Sequence, residues 1–200
     1  MKSYTTLSAL ALVAAATAGQ TSRLFGRQSG TCLLNSVENG ATDEQIAASV
    51  NQWSSDVQNV NSFLNSAAGL PVPALVGAAN AAFLSAQDEP CQLDTLSNFD
   101  ADTPATDCAT KDLQAIFVVH VLTNLKNIIA NPHDAQAVSA AVADINLFRC
   151  CSVLPDADIL WTGASNKVTS VAILTTLAAR PQACASITCT SAQTNCKAAT

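Results

Sequence analysis

The sequence predicts an all-α protein, an antiparallel bundle of four to five helices stabilised by disulfides. Three observations carry that prediction. Hydrophobic residues make up 49% of the 200 positions and charged residues 12%, a balance that fills a core rather than leaving a disordered chain. Aromatic residues are only 4% while alanine is abundant, which suits close-packed helices better than strands. Apolar residues recur at alternating steps of three and four over long stretches, the period of a helix with one buried face. The formal charge of −6 leaves no basic surface for nucleic acid, which is excluded as a partner.

Residues 1–19 read as a leader. Lys2 precedes an apolar run over 7–16, and Ala16-Thr17-Ala18 has the small-residue form of a cleavage site. The run falls short of the about 20 apolar residues that span a bilayer, so the chain is not expected to be membrane-spanning. The organisation that follows is a secretory signal peptide over 1–18, an N-terminal segment over 19–41, a helical bundle domain over 42–180 and a cysteine-tied C-terminal tail over 181–200. Arg23 and Arg27 are single basic positions at which a further propeptide cut would fall.

The first helix spans 42–68. Thr42 and Gln45 form a capping box, Asp43 and Glu44 suit the helix dipole, and Ile46, Val50, Trp53, Val57, Val60, Leu64 and Ala67 make one stripe. Gly69, Pro71 and Pro73 end it. A second helix covers 73–86, with Leu75, Val76, Ala79, Phe83 and Ala86 inward. Pro90, Pro104 and a run of acidic residues then predict a long loop over 87–107.

The third helix, 108–130, is apolar nearly all round from Leu113 to Ile129 and is expected at the centre of the bundle. Asn131 as N-cap, Pro132 at the first position and Asp134 start the fourth helix, which runs to Cys151 and buries Val138, Val142, Ile145 and Phe148. Pro155 closes it. A fifth helix over 165–179 has Val168, Val171, Ile173, Leu174 and Leu177 for packing, and Pro181 ends it.

Cys32, Cys91, Cys108, Cys150, Cys151, Cys184, Cys189 and Cys196 all follow the leader, and eight cysteines in an oxidising compartment imply up to four disulfides. Adjacent Cys150 and Cys151, about 3.8 Å apart at Cα, are too close for an ordinary disulfide and need two different partners. Cys32 and the tail are the expected partners, with Cys91 and Cys108 closing the acidic loop. Cysteines without paired CxxC spacing or a neighbouring histidine do not read as a zinc site.

No catalytic constellation emerges. His120 lies among apolar residues and reads as a neutral core histidine bonded to a carbonyl or to Asn124; His133 reads as an exposed residue of a first helical turn. The acidic residues lack a calcium-loop pattern and read as solvated. Phosphate-binding glycine loops, a Gly-x-Ser-x-Gly elbow and His-Glu-x-x-His are absent. No catalytic residue, cofactor or metal is therefore expected. The densest charged feature, Asp88, Glu89, Asp94, Asp100, Asp102 and Asp107, is the expected interaction surface.

With its short Ala-rich leader, alanine-rich helices, even cysteine count, Cys150-Cys151 pair and low charge, the chain resembles small cysteine-containing secreted proteins of filamentous fungi, of the effector or cell-surface kind. One Cys-Cys pair on a chain of this length does not fit a hydrophobin, and the spacing does not fit the eight-cysteine fungal extracellular domain. The Ala-rich and Val-rich helices are similar to those of cell-wall galactomannoproteins, which usually carry fewer cysteines. The resemblance implies a secreted, non-enzymatic, extracellular interaction protein, an effector or virulence-type factor acting on a host. Its partner would be a protein, a wall or a surface. The alternative is an extracellular or cell-wall protein that binds a lipid or other apolar ligand between its helices.

Overall fold

The computed structural model describes residues 41–97, 103–190 and Cys196. The leader over 1–18 and all of the N-terminal segment except Ala41 lie outside them. The described residues contain four helices: α1 (Asp43–Ser66), α2 (Val72–Ser97), α3 (Pro104–Ala130) and α4 (Ala135–Lys167). No strand occurs among them.

α1 starts as its sequence requires. The Thr42 hydroxyl accepts from the Gln45 amide, and the Gln45 side chain accepts from the Thr42 amide at 2.9 Å. Every residue of the predicted stripe is buried, from Ile46 to Ala67. A short 3-10 turn, Ala67–Gly69, then leads into α2. α2 returns antiparallel along α1, with Ser49 opposite Gln92, Trp53 opposite Glu89 and Asn59 opposite Ser85.

The loop predicted over 87–107 is corrected for its first half. α2 continues through Pro90 to Ser97, because Ala86, Glu89, Gln92, Leu93 and Leu96 carry its buried face against α1. Burial along that face outweighs the hydrogen bond that proline removes. α3 also starts earlier than predicted, capped by Thr103 with Pro104 in the first turn.

α3 and α4 form a second antiparallel pair, each interrupted by one π turn, Val118–Leu122 in α3 and Arg149–Val153 in α4. Asp134, rather than Asn131, caps α4, accepting from the Ala137 amide at 2.9 Å. His133 lies in the preceding turn and not in the helix. α4 does not stop at Cys151. Leu154 donates to the Arg149 carbonyl five residues back, so the register widens just before Pro155, which sits in the first turn of the segment Leu154–Lys167.

The centre of the bundle is this second half of α4 and not α3. All residues from Cys151 to Ala157 are buried, as are Leu160 and Trp161, and Trp161 meets Trp53 edge-on at 5.8 Å. Gly163 allows close approach to α3: a Cβ there would stand 3.2 Å from the Thr106 methyl. α3 buries one face and leaves Val118 55% and Val119 57% exposed. By length and composition alone, α3 and α4 are long and apolar enough to cross a membrane.

The helix expected over 165–179 does not form. After Lys167 the chain is irregular to Pro181, followed by the 3-10 turn Gln182–Ala185. The run Val168, Thr169, Ser170, Val171, Ile173, Thr175 and Thr176 is β-branched or short and polar, and favours a helix poorly. Residues 168–190 form a strap over the bundle, with Val168 and Ala178 buried and Val171 and Ile173 packed against the core.

Candidate functional site

The two adjacent cysteines hold the strap. Cys150 bonds to Cys184 and Cys151 to Cys189, with Cα–Cα separations of 5.3 and 5.4 Å. Two different partners are therefore present, as adjacency demands. Both come from the C-terminal region, which corrects the expected bond to Cys32, and they attach inside α4 rather than at its end. Cys108 pairs with Cys196 and not with Cys91. Cys91 is also disulfide-bonded, and Cys32 lies outside the described residues.

Four polar side chains of the bundle fix the strap between α4 and these disulfides. Asp43 Oδ2 accepts from the Thr169 amide at 3.1 Å, the Ser170 amide at 3.0 Å and the Ser170 hydroxyl at 2.9 Å. Those bonds, the Ser170 amide foremost, hold the Asp43 carboxyl below its ordinary pKa of 3.8. Asp158 accepts from the Ala178 amide at 2.7 Å and pairs with Arg180. Asn61 Nδ2 donates to the Ala179 carbonyl at 2.8 Å, and Asn65 Oδ1 accepts from the Gln182 amide at 2.8 Å. The strap is thus held at both ends, and between them it presents Leu174, 81% exposed, and Leu177, 67% exposed.

Beneath the strap lies a buried polar core. Arg149, fully buried, donates from Nη1 to Glu89 Oε1 at 2.9 Å, and Trp53 Nε1 donates to Glu89 Oε2 at 3.0 Å. Arg149 Nη2 stands 3.5 Å from Asn61 Oδ1, the same Asn61 that holds Ala179. The π turn places Arg149 inward beside the two clamping cysteines. Ion pair, clamp and strap therefore share one turn of α4.

Among the described residues, those of the expected acidic surface do not share one exposed patch. Glu89, 1% exposed, belongs to the core because Arg149 and Trp53 neutralise and satisfy it there. Asp88 and Asp94 are half-buried on α2, Asp107 is exposed in the first turn of α3, and Asp100 and Asp102 lie outside the described residues. Burial raises the Asp94 pKa.

His120 is not a core histidine. Its ring sits in the π turn of α3, stacked on Phe148 at 3.3 Å between centroids, with Nδ1 2.9 Å from Asp144 Oδ2. Asn124 joins them, donating from Nδ2 to Asp144 at 2.6 Å and to the His120 carbonyl at 2.9 Å. A histidine oriented by a carboxylate is a common part of acid–base chemistry, but a nucleophile is also required for a hydrolytic triad. Among the described residues no group of three or more His, Cys, Asp or Glu side chains is placed to hold a metal ion.

No family model matches the chain, and neither a curated protein nor a solved structure is significantly similar to it.

Proposed function

We propose that this is a secreted, non-enzymatic interaction protein, an effector or virulence-type factor that acts on a host outside the producing cell through its C-terminal strap. The observation that carries the reading is the strap itself. Two disulfides and four side-chain anchors fix an irregular segment that exposes two large apolar residues. Irregular segments held on a rigid scaffold are a common site of recognition. An ordered loop also loses little entropy on binding, so contact by Leu174 and Leu177 is favoured over the same residues on a floppy tail. Disulfides in this number fit an oxidising, extracellular setting, in accord with the leader-like start of the chain.

The test compares purified disulfide-bonded protein with its Leu174→Ser/Leu177→Ser variant in candidate host tissues, reading tissue response and cross-linked host proteins. Both substitutions lie on the surface and should leave unfolding unchanged. The expected result is a response and a host partner that the variant loses. No response or partner across several hosts, or an equal response to the variant, overturns the reading.

The exposed Val118 and Val119 of α3 favour a second reading, contact with a lipid or other apolar ligand. Native mass spectrometry of protein purified from its source reads this directly. A co-purifying lipid supports it, and a clean apo mass with no lipid uptake removes it.

A further inference from the structure

Between its anchors the strap offers main chain as well as side chains. Val171 and Ile173 pack against the core while Ala172 and Leu174 are exposed, the in-and-out alternation that an extended chain gives. The chain bends at Leu174, which projects 81% exposed. Among the described residues no hydrogen bond engages the backbone amides or carbonyls of residues 171–176, so they are free to pair with another molecule. Leu177 differs. Its carbonyl accepts from the Thr175 hydroxyl at 2.8 Å, and its amide donates to Thr175 Oγ1 at 3.3 Å.

Both sides of the Leu174–Thr175 peptide bond are tied to the same scaffold. Before it, Asp43 accepts from the Thr169 and Ser170 amides, and Ile173 packs on the core. After it, Thr175 is bonded to Leu177, and the next amide, that of Ala178, donates to Asp158 at 2.7 Å. The Cys150–Cys184 disulfide also spans the bond, since residue 174 is continuous with α4, which carries Cys150, and residue 175 leads to Cys184. A cut there would leave one covalent molecule with both new ends still anchored.

We propose that the strap is the inhibitory loop of a protease inhibitor, its partner a serine endopeptidase whose specificity pocket takes leucine, with Leu174 in that pocket. This rests on the strap being the interaction surface and names the class of its partner. Such an enzyme recognises an extended chain by main-chain hydrogen bonds and an inserted side chain, and residues 171–174 offer both. An oxidising space, where these disulfides persist, suits a hydroxyl nucleophile better than a free thiol. The serine oxygen adds to the Leu174 carbonyl carbon, and its proton passes to the enzyme's histidine. The Leu174–Thr175 C–N bond then breaks, and the Thr175 nitrogen takes that proton and leaves as an amine. On an ordinary substrate the amine diffuses away and water hydrolyses the ester. Here the anchors keep the amine near the ester at high effective concentration, and its return attack remakes the peptide bond and expels the serine. The enzyme is held rather than turned over, and the order already present in the strap lowers the entropy lost on binding.

The test sets the full-length, disulfide-bonded protein against chymotrypsin and subtilisin, which accept large apolar side chains, and against trypsin, which takes basic ones. Hydrolysis of a chromogenic peptide by the first two should be blocked, and trypsin should stay active. Any cut in the strap should fall at Leu174–Thr175, add one water and release no fragment, as read by intact mass without reduction. Leu174→Arg should weaken inhibition of chymotrypsin about 100-fold and create inhibition of trypsin, a gain that misfolding does not give. Wild-type protein that leaves chymotrypsin and subtilisin active, or that is cut in the strap and releases them at the rate of an ordinary substrate, overturns the inference. So does equal inhibition of chymotrypsin by Leu174→Arg. The wild-type arm stands alone if that variant does not fold. A host response lost in Leu174→Ser/Leu177→Ser while neither enzyme is inhibited overturns the inhibitor reading alone, whereas a response that this variant keeps overturns the strap as the surface.

Discussion

Arg149 and Glu89 illustrate how far single residues depend on context. A buried ion pair contributes little net stability compared with apolar packing, yet breaking it by removing one partner costs about 3–5 kcal/mol because the other charge is left buried. Arg149→Met should lower the urea unfolding free energy by about that amount. Glu89→Leu combined with Arg149→Met should recover most of the loss, and equal destabilisation of the single and double variants would show that the pair is not the cause. In the sequence, Glu89 stands beside Asp88 and Pro90 and reads as solvated acid. The legible signal was its spacing, since Ala86, Glu89, Leu93 and Leu96 fall on one helical face. His120 differs for a related reason: its apolar neighbours suggest a core, and Val121 is in it, but Val118 and Val119 face out and its partner, Asp144, is distant in sequence. Asp43 makes a residue-scale prediction for pH. Its pKa is depressed in the folded state, so its hold on Thr169 and Ser170 is present above the ordinary carboxylate pKa and is lost as pH falls through the folded value. Protection of amides 169 and 170 from exchange, corrected for intrinsic rates, should fall in acid in the wild type and be low at every pH in Asp43→Ala. A variant that exchanges like the wild type would remove Asp43 as an anchor.

Elements were legible where local pattern and tertiary burial agree. The capping box and stripe of α1 are such a case, and every stripe residue is buried. They were illegible where one outweighed the other. Pro90 and Pro155 are helix-breaking signals, but α2 passes the first to bury its seam, and α4 reaches the second across a widened turn. Conversely, residues 168–179 have apolar spacing compatible with a helix, while disulfides and side-chain anchors hold them as a strap. Nothing in one sequence displays which cysteine pairs with which. Adjacency of Cys150 and Cys151 demanded two partners, and the choice of Cys184 and Cys189 rests on the path of the strap. The Cys150–Cys184 bond closes a separation of 34 residues, so its removal by Cys150→Ser/Cys184→Ser should cost about 2–4 kcal/mol in chemical denaturation. An unchanged unfolding free energy would mean that the strap is held without it.

At the scale of the whole molecule, the predicted class stands: an all-α bundle reinforced by disulfides, with four helices among the described residues. The candidate surface moved from the acidic residues to the strap, because the described acidic residues are divided between the core, half-buried positions on α2 and one exposed position on α3. The proposed function joins these features. A leader would deliver the chain to an oxidising space, the disulfides would form there, and the strap would be presented only once they had. Non-reducing peptide mapping with intact mass of protein recovered from the medium of its source cells tests this most directly. The account predicts a chain that begins after Ala18 or Gly19, no free thiol, and cross-linked peptides joining Cys108 to Cys196, Cys150 to Cys184 and Cys151 to Cys189. A protein retained in the cells with its leader attached, or a free thiol at Cys150 or Cys151, would contradict it.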